Sequence, residues 1–372
     1  MYDFIIFEHS GLKNHFIDLQ TIGLMLSDAG YSVAIANVTQ EKGLCNKSNI
    51  PKIELSINRS SYQKKDDYLK AVFNELSQMT ENFYAGSILS DTNLSWIKYV
   101  PKDKKVFLWA LRSFFFTEYQ RPRISRSYHL SFFNSLYNSW VAKRYKNVRF
   151  FVSDTIIRDE FVRLGYEPWR LVIRPERMCT QLTLSTKERK RRLQLLSIGA
   201  LRPEKRIDLC MKALDKLSPN DIHLTIAGKA YTLHGYEKML DSMSEGRQYV
   251  TRISHRLSNE EYNELINNCD YLILCDEKQP SCVTNGTMAE ALLAGKPIIA
   301  PNYNPYKYIV EKYGVGLLYE MHNQQSLIDT LKRACTIDLK EYSQGIEQYQ
   351  RDFLYEKVVK DFSKELKESL QR

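Results

Sequence analysis

The chain has 372 residues, 43% of them hydrophobic and 26% charged, which suits a soluble globular protein of two domains better than a disordered chain. No apolar run approaches the ~18 residues of a membrane span. The N-terminal MYDFIIFEHS carries acids where a secretory leader would be basic, and seven scattered cysteines without a Cys-x-x-Cys pair argue against a disulfide framework or zinc site and for a reducing cytoplasm.

In chain order, Tyr2–Phe7 reads as a strand, residues 14–29 as a helix ended by Gly30, and Tyr31–Ala36 as a second strand. This βαβ opening implies a parallel sheet with a right-handed crossover. A strand near residues 53–55, a helix over 68–79 and strands near 85–89 and 105–109 follow. Then come a helix over 131–146, a strand over 148–152, a helix started by Ser153-Asp154 and stopped at Gly165, and a strand over 171–175. The polar stretch 179–191, ending in KERKRR, reads as a linker. Beyond it the pattern starts again. Strands are expected at 193–198, 223–227, 249–253, 271–275 and 298–300. Helices are expected at 207–217, 236–243, 259–268, 306–312, 325–334, 339–347 and 354–370. Alternating strands and helices in both halves give an α/β class.

Net charge is +9, and its distribution is uneven. Residues 101–150 hold eleven Lys/Arg against two acids, a surplus equal to that of the whole chain, interleaved with aromatics such as Phe107, Trp109, Tyr137 and Trp140. That mixture suits an anionic membrane surface or single-stranded nucleic acid, or else a core whose charges form a solvated face. The second informative stretch is TNGTMAEALLAGKPIIAP, Thr284 to Pro301. Its polar turn Asn285-Gly286-Thr287 opens a short helix closed by Gly295. The N–H groups exposed at such a start, together with the helix dipole, suit a phosphate. Glu290, one turn further on, is placed for a neighbouring group such as a ribose diol.

Several segments resemble glycosyltransferase family 4. IGALRPEKRIDL is similar to its strand–GRL–x–PEKG segment, NGTMAEALLAGKPIIAP to its LEAMACGxPVVA segment, and SDTIIRDEFVRLGYEPWRLVIRP to the close of its first domain. The resemblance implies a GT-B fold of two Rossmann-like doubly wound domains facing a cleft. Residues 1–180 would take the acceptor and 190–348 the nucleotide-sugar, with a helix over 349–372 crossing back to the first domain. It implies that Lys205, aided by Arg202, holds the donor diphosphate, that Glu290 holds the ribose, and that Gly199, Asn285, Gly286 and Thr287 line the donor site. The family's arginine falls on Ala200 and its first glutamate on Cys282, so Glu277, in the same loop, is a substitute candidate. The family's N-domain histidine falls on Arg112. His9, Gly11 and Arg112 are therefore the acceptor-side candidates, with His15 and His129 as looser ones.

The leading expectation is a cytoplasmic glycosyltransferase, on or near the inner face of the membrane. It would move a sugar from a nucleotide donor, UDP-sugar favoured, to a saccharide or lipid-linked saccharide, as in bacterial surface polysaccharide synthesis. Absence of an Asp-x-Asp pair agrees with a site that needs no metal or other cofactor, and retention of configuration follows from the resemblance alone. Alternatives are a GT-B epimerase, a basic nucleic-acid-binding protein, or a scaffold without catalysis.

Overall fold

The computed structural model describes residues 1–7, 16–37, 50–57, 59–87, 94–110, 136–183, 192–217, 221–230, 235–278 and 285–372. The chain forms two compact units, one of Met1–Glu176 with Glu356–Arg372, the other of Arg177–Gln279 with Asn285–Tyr355.

The first unit is built on strands β1 (Tyr2–Phe7), β2 (Val33–Asn37), β3 (Lys52–Glu54), β4 (Thr80–Ser87), β5 (Lys105–Ala110), β6 (Val148–Val152) and β7 (Leu171–Ile173). They form one parallel sheet in the order β3-β2-β1-β4-β5-β6-β7. Helices α1 (Phe16–Asp28), α2 (Lys65–Ser77), α3 (136–144) and α4 (Thr155–Arg163) connect them. Central strands of a parallel sheet are covered on both faces, which is why β5 and β6 are nearly continuous apolar runs. Arg149, inside β6, is the exception and is 2% exposed. Its guanidinium donates to the carbonyls of Lys146, Val148 and Ser369 and lies 4.3 Å from the Trp169 ring. Burial, then Arg170, brings its pKa down to about 10. Charge from the basic stretch is thus partly spent inside the core, as are the Phe107 and Trp109 rings. The last helix, α12 (Tyr355–Gln371), packs on this unit along an apolar stripe of Val358, Val359, Phe362 and Leu366. Glu365 accepts from the Ile173 N–H at 2.7 Å and pairs with Arg158 at 3.4 Å.

The second unit carries β8 (Leu193–Ile198), β9 (Ile222–Ala227), β10 (Val250–Ile253), β11 (Tyr271–Ile273), β12 (Ile298–Pro301) and β13 (Gly316–Tyr319). These too are all parallel, in the order β10-β9-β8-β11-β12-β13. Helices α5 (Ile207–Leu214), α6 (Tyr236–Ser244), α7 (Asn259–Asn268), α8 (Gly286–Leu293), α9 (Tyr306–Tyr313), α10 (Gln324–Ala334) and α11 (Ser343–Asp352) cover it.

Two strands depart from the reading of the sequence. β13 was not expected, because four residues starting at a glycine give too short a pattern. Gly316 is required there, since a Cβ would stand 2.1 Å from the Ile298 carbonyl oxygen. β4 begins at Thr80 rather than near residue 85. Its polar Thr80 and Asn82 hid the strand. They are buried because they are satisfied: Thr80 donates to the Asn82 carbonyl at 2.9 Å, and Asn82 donates to that of Asp3 at 3.1 Å.

Candidate functional site

In a doubly wound sheet the loops leaving the carboxyl ends of the strands share one edge, and the crevice opens where the strand order reverses. In the second unit that point lies between β8 and β11, so the loops after these strands and the start of α8 face the same space. The loop after β8 begins with Gly199 at φ +104°, a conformation that side chains disfavour. Gly228, after β9, has φ +122°, and a Cβ there would lie 2.2 Å from the Gly199 carbonyl oxygen, so the two loops cross backbone on backbone.

A Cβ on Gly199 itself would lie 3.6 Å from Thr287 Oγ1 and 3.7 Å from Lys205 Nζ. The glycine therefore floors a small space between a hydroxyl and an ammonium. Lys205 ends a short 3-10 turn, Pro203–Lys205, and its half-buried Nζ reaches back to donate to the Ile198 carbonyl at 3.1 Å. Burial lowers its pKa; Asp276 opposes that shift and Arg202, at the exposed head of the turn, adds to it. Thr287 is the second residue of α8. Asn285 caps that helix, its Oδ1 accepting from the Met288 N–H at 3.0 Å. The Gly286 and Thr287 N–H groups precede any intrahelical acceptor, so α8 itself does not satisfy them. Gly199, Lys205, Asn285, Gly286 and Thr287 thus come together, as a cradle of cation and N–H donors fit for an anion.

Glu290, on the next turn of α8, accepts from Arg177 Nε at 2.6 Å and from the Tyr262 hydroxyl. Tyr262 is held in place by the start of α7, where Ser258 and Glu261 cap each other reciprocally. Glu277 lies in the loop after β11. Its N–H donates to the Glu204 carbonyl at 2.8 Å and its carboxylate pairs with Arg206 Nη1 at 2.9 Å. Arg206 stands where the resembled family has glycine, and it adopts φ +43°. Its guanidinium also pairs with Asp208 at 3.2 Å.

Sequence reasoning missed three members of this neighbourhood. Asp276 accepts from the Tyr306 hydroxyl at 2.6 Å and from Asn285 Nδ2 at 3.1 Å, while its carbonyl accepts from Tyr303 at 2.8 Å. Its position just past a buried strand was an available signal. Arg177 and Tyr262 carried none, because their role depends on a contact far along the chain. The acceptor-side candidates His9, Gly11 and Arg112, as well as Cys282, His15 and His129, lie outside the described residues. Among the described residues no group of three or more His, Cys, Asp or Glu could hold a metal ion, and no helix is long and apolar enough to cross a membrane.

Residues 183–352 match the family described as Glycosyl transferases group 1. No curated protein matches the chain. Among solved structures it is similar to a lipopolysaccharide outer core galactosyltransferase, WaaB, in its apo form. That match has 15% identity and a TM-score of 0.65, covering 98% of this chain and 99% of that one. It is similar to Anabaena HepE solved with UDP at 14% identity and a TM-score of 0.67, covering 98% and 99%. It also matches a sucrose-phosphate synthase of Thermosynechococcus elongatus at 13% identity and a TM-score of 0.66, covering 98% of both chains. The fold is the GT-B fold, and the match to the group 1 glycosyltransferase family spans most of the second unit. Nothing in these matches favours the epimerase or nucleic-acid-binding readings.

Proposed function

We propose that the protein transfers a sugar from a nucleotide-sugar donor, a UDP-sugar by preference, to a saccharide or lipid-linked saccharide in polysaccharide assembly. The observation that carries this reading is the cradle of Gly199, Lys205 and Thr287 at the start of α8. A diphosphate seated there would meet the α8 N–H groups and the Lys205 ammonium, with Arg202 as a further cation. These groups stabilise the charge that develops on the leaving diphosphate as the glycosidic bond breaks. Cations and N–H groups fill the role a divalent metal plays elsewhere, so transfer needs no metal, and by family resemblance it proceeds with retention. Glu290 takes the ribose hydroxyls. The family match over residues 183–352, a neighbour solved with UDP and glucose, and another described as a galactosyltransferase support the donor class.

The acceptor is proposed to be reached at a membrane surface. On α3 the exposed residues Leu136, Tyr137, Trp140, Lys143 and Arg144 recur at helical spacing along one stripe, apolar at one end and basic at the other. Such a face suits the boundary between acyl chains and anionic headgroups. The experiment that tests the function is a melting series with UDP, GDP and ADP, followed by donor turnover with and without a saccharide acceptor. At least one nucleotide should raise Tm, by the equivalent of about 2.7 kcal/mol at one hundred times its Kd. Failure of all three to bind would reject the reading.

A further inference from the structure

Glu290 is engaged at both carboxylate oxygens. Oε1 takes Arg177 Nε and Oε2 takes the Tyr262 hydroxyl. The Arg177 and Glu290 side chains remain 36% and 29% exposed, so a ligand can still reach the carboxylate. Burial, then the Glu290 charge, push the Tyr262 phenol well above its ordinary value, so it is a donor at any working pH. A carboxylate oxygen has more than one acceptor site. Each Glu290 oxygen can therefore keep its present partner and still accept from a hydroxyl.

Two costs would otherwise attend such a carboxylate. It stands one turn from a helix start that receives an anion, and its charge would repel that anion. It would also have to be frozen on binding, at a cost in rotamer freedom. The guanidinium cancels the first cost, and two fixed donors remove the second. We propose that Arg177 and Tyr262 are positioning residues that hold Glu290 as a charge-compensated, pre-aimed acceptor for a vicinal ribose diol, so that the site selects ribonucleotides over 2′-deoxyribonucleotides. This inference rests on the donor reading above. A site built to hydrogen-bond a hydroxyl discriminates strongly against the analogue that lacks it.

The test is calorimetric titration of the full chain with UDP, GDP and ADP, each beside its 2′-deoxy counterpart. For the base that binds, the ribo form should be preferred by about tenfold or more. Tyr262→Phe should lose most of that preference by weakening the ribo form, with the deoxy form held within about twofold, and donor KM should rise while kcat is kept. Arg177→Gln should weaken both forms, because it leaves the Glu290 charge uncompensated beside a diphosphate. The double variant Arg177→Gln/Glu290→Gln should regain the deoxy-form affinity lost in the single one. Residues with a merely structural role would weaken both ligands equally and show no such rescue. If Glu290→Gln leaves the preference intact, or no diphosphate binds, the donor reading itself fails and takes this inference with it. If Glu290→Gln abolishes the preference while Tyr262→Phe retains it and the double variant regains nothing, the positioning role alone is overturned.

Discussion

Substituting Gly199 by alanine separates the cradle from the fold that carries it. The added methyl would sit 3.6 Å from Thr287 Oγ1 and 3.7 Å from Lys205 Nζ, ordinary contact distances, so neither neighbour has to move. A phosphate oxygen bonded to both groups must lie within ~3 Å of each. Methyl and oxygen then compete for one space. Losing one charge-assisted hydrogen bond costs about 1.5–3 kcal/mol, or roughly ten- to 150-fold in Kd. The variant also bears backbone strain at φ +104°, about 1–3 kcal/mol. Gly246→Ala supplies the control. It too has positive φ, +74°, but a Cβ there meets nothing within 4 Å, and it lies before β10 at the opposite edge of the sheet. Both variants should melt a few degrees below the wild type, and only Gly199→Ala should lose UDP affinity by calorimetry. A Gly199→Ala protein that melts like the control and binds UDP as the wild type does would refute the cradle as the anion site.

Lys205→Ala should lower donor kcat/KM by the equivalent of about 2–4 kcal/mol while the protein stays folded by circular dichroism. Because burial lowers the Lys205 pKa and an anion restores it, UDP affinity should decline as pH rises toward 10.5, sooner than for an ordinary lysine, and Lys205→Ala should flatten that profile. Gly228→Ala forces a methyl to 2.2 Å from the Gly199 carbonyl oxygen and should cost about 2–5 kcal/mol in urea unfolding. Arg206→Gly relieves φ +43° but releases Asp208 and Glu277, so stability should change by less than about 1 kcal/mol while hydrogen exchange at the Glu277 amide quickens. Vesicles of anionic lipid should bind the protein and release it in high salt, and Trp140→Ala should weaken that binding; equal binding to neutral vesicles would reject the electrostatic account.

The α/β alternation and the helix opened by Asn285-Gly286-Thr287 were legible because they rest on local rules. Apolar runs mark buried parallel strands, and a capping side chain with glycine marks a helix start. β13 and the start of β4 were not, since one is too short to show a period and the other carries polar residues that only the fold satisfies. In the site, Glu290 could be named from spacing and Lys205 from the family resemblance, but their surroundings could not. The pairing of Arg177 with Glu290 joins residues 113 positions apart, and no local pattern encodes it. Nor did charge counting reveal that Arg149 lies in the core beside Trp169, since its cost is met in part by the Ser369 carbonyl, 220 positions away, which reaches it only on folding.

Two of the substitutions that set this chain apart from the family pattern, Ala200 and Arg206, lie in the loop after β8. Arg206 replaces a glycine and keeps the left-handed conformation, at a cost of about 1–2 kcal/mol. Its guanidinium is shared between Asp208 and Glu277, so it does not take the place of the arginine that Ala200 lacks. What it does is tie the loop after β11 to the loop after β8. The bond from the Glu277 N–H to the Glu204 carbonyl ties them a second time. Asp276 is pinned in turn by Tyr303, Tyr306 and Asn285. The separation between the Asp276 carboxylate and the Lys205 ammonium is therefore set by the framework. Asp276 offsets part of the cost of burying Lys205. An incoming diphosphate would supply the same offset more strongly and would meet a cation already in place. Stabilisation that needs no rearrangement at the moment of bond breaking is the kind that accelerates transfer.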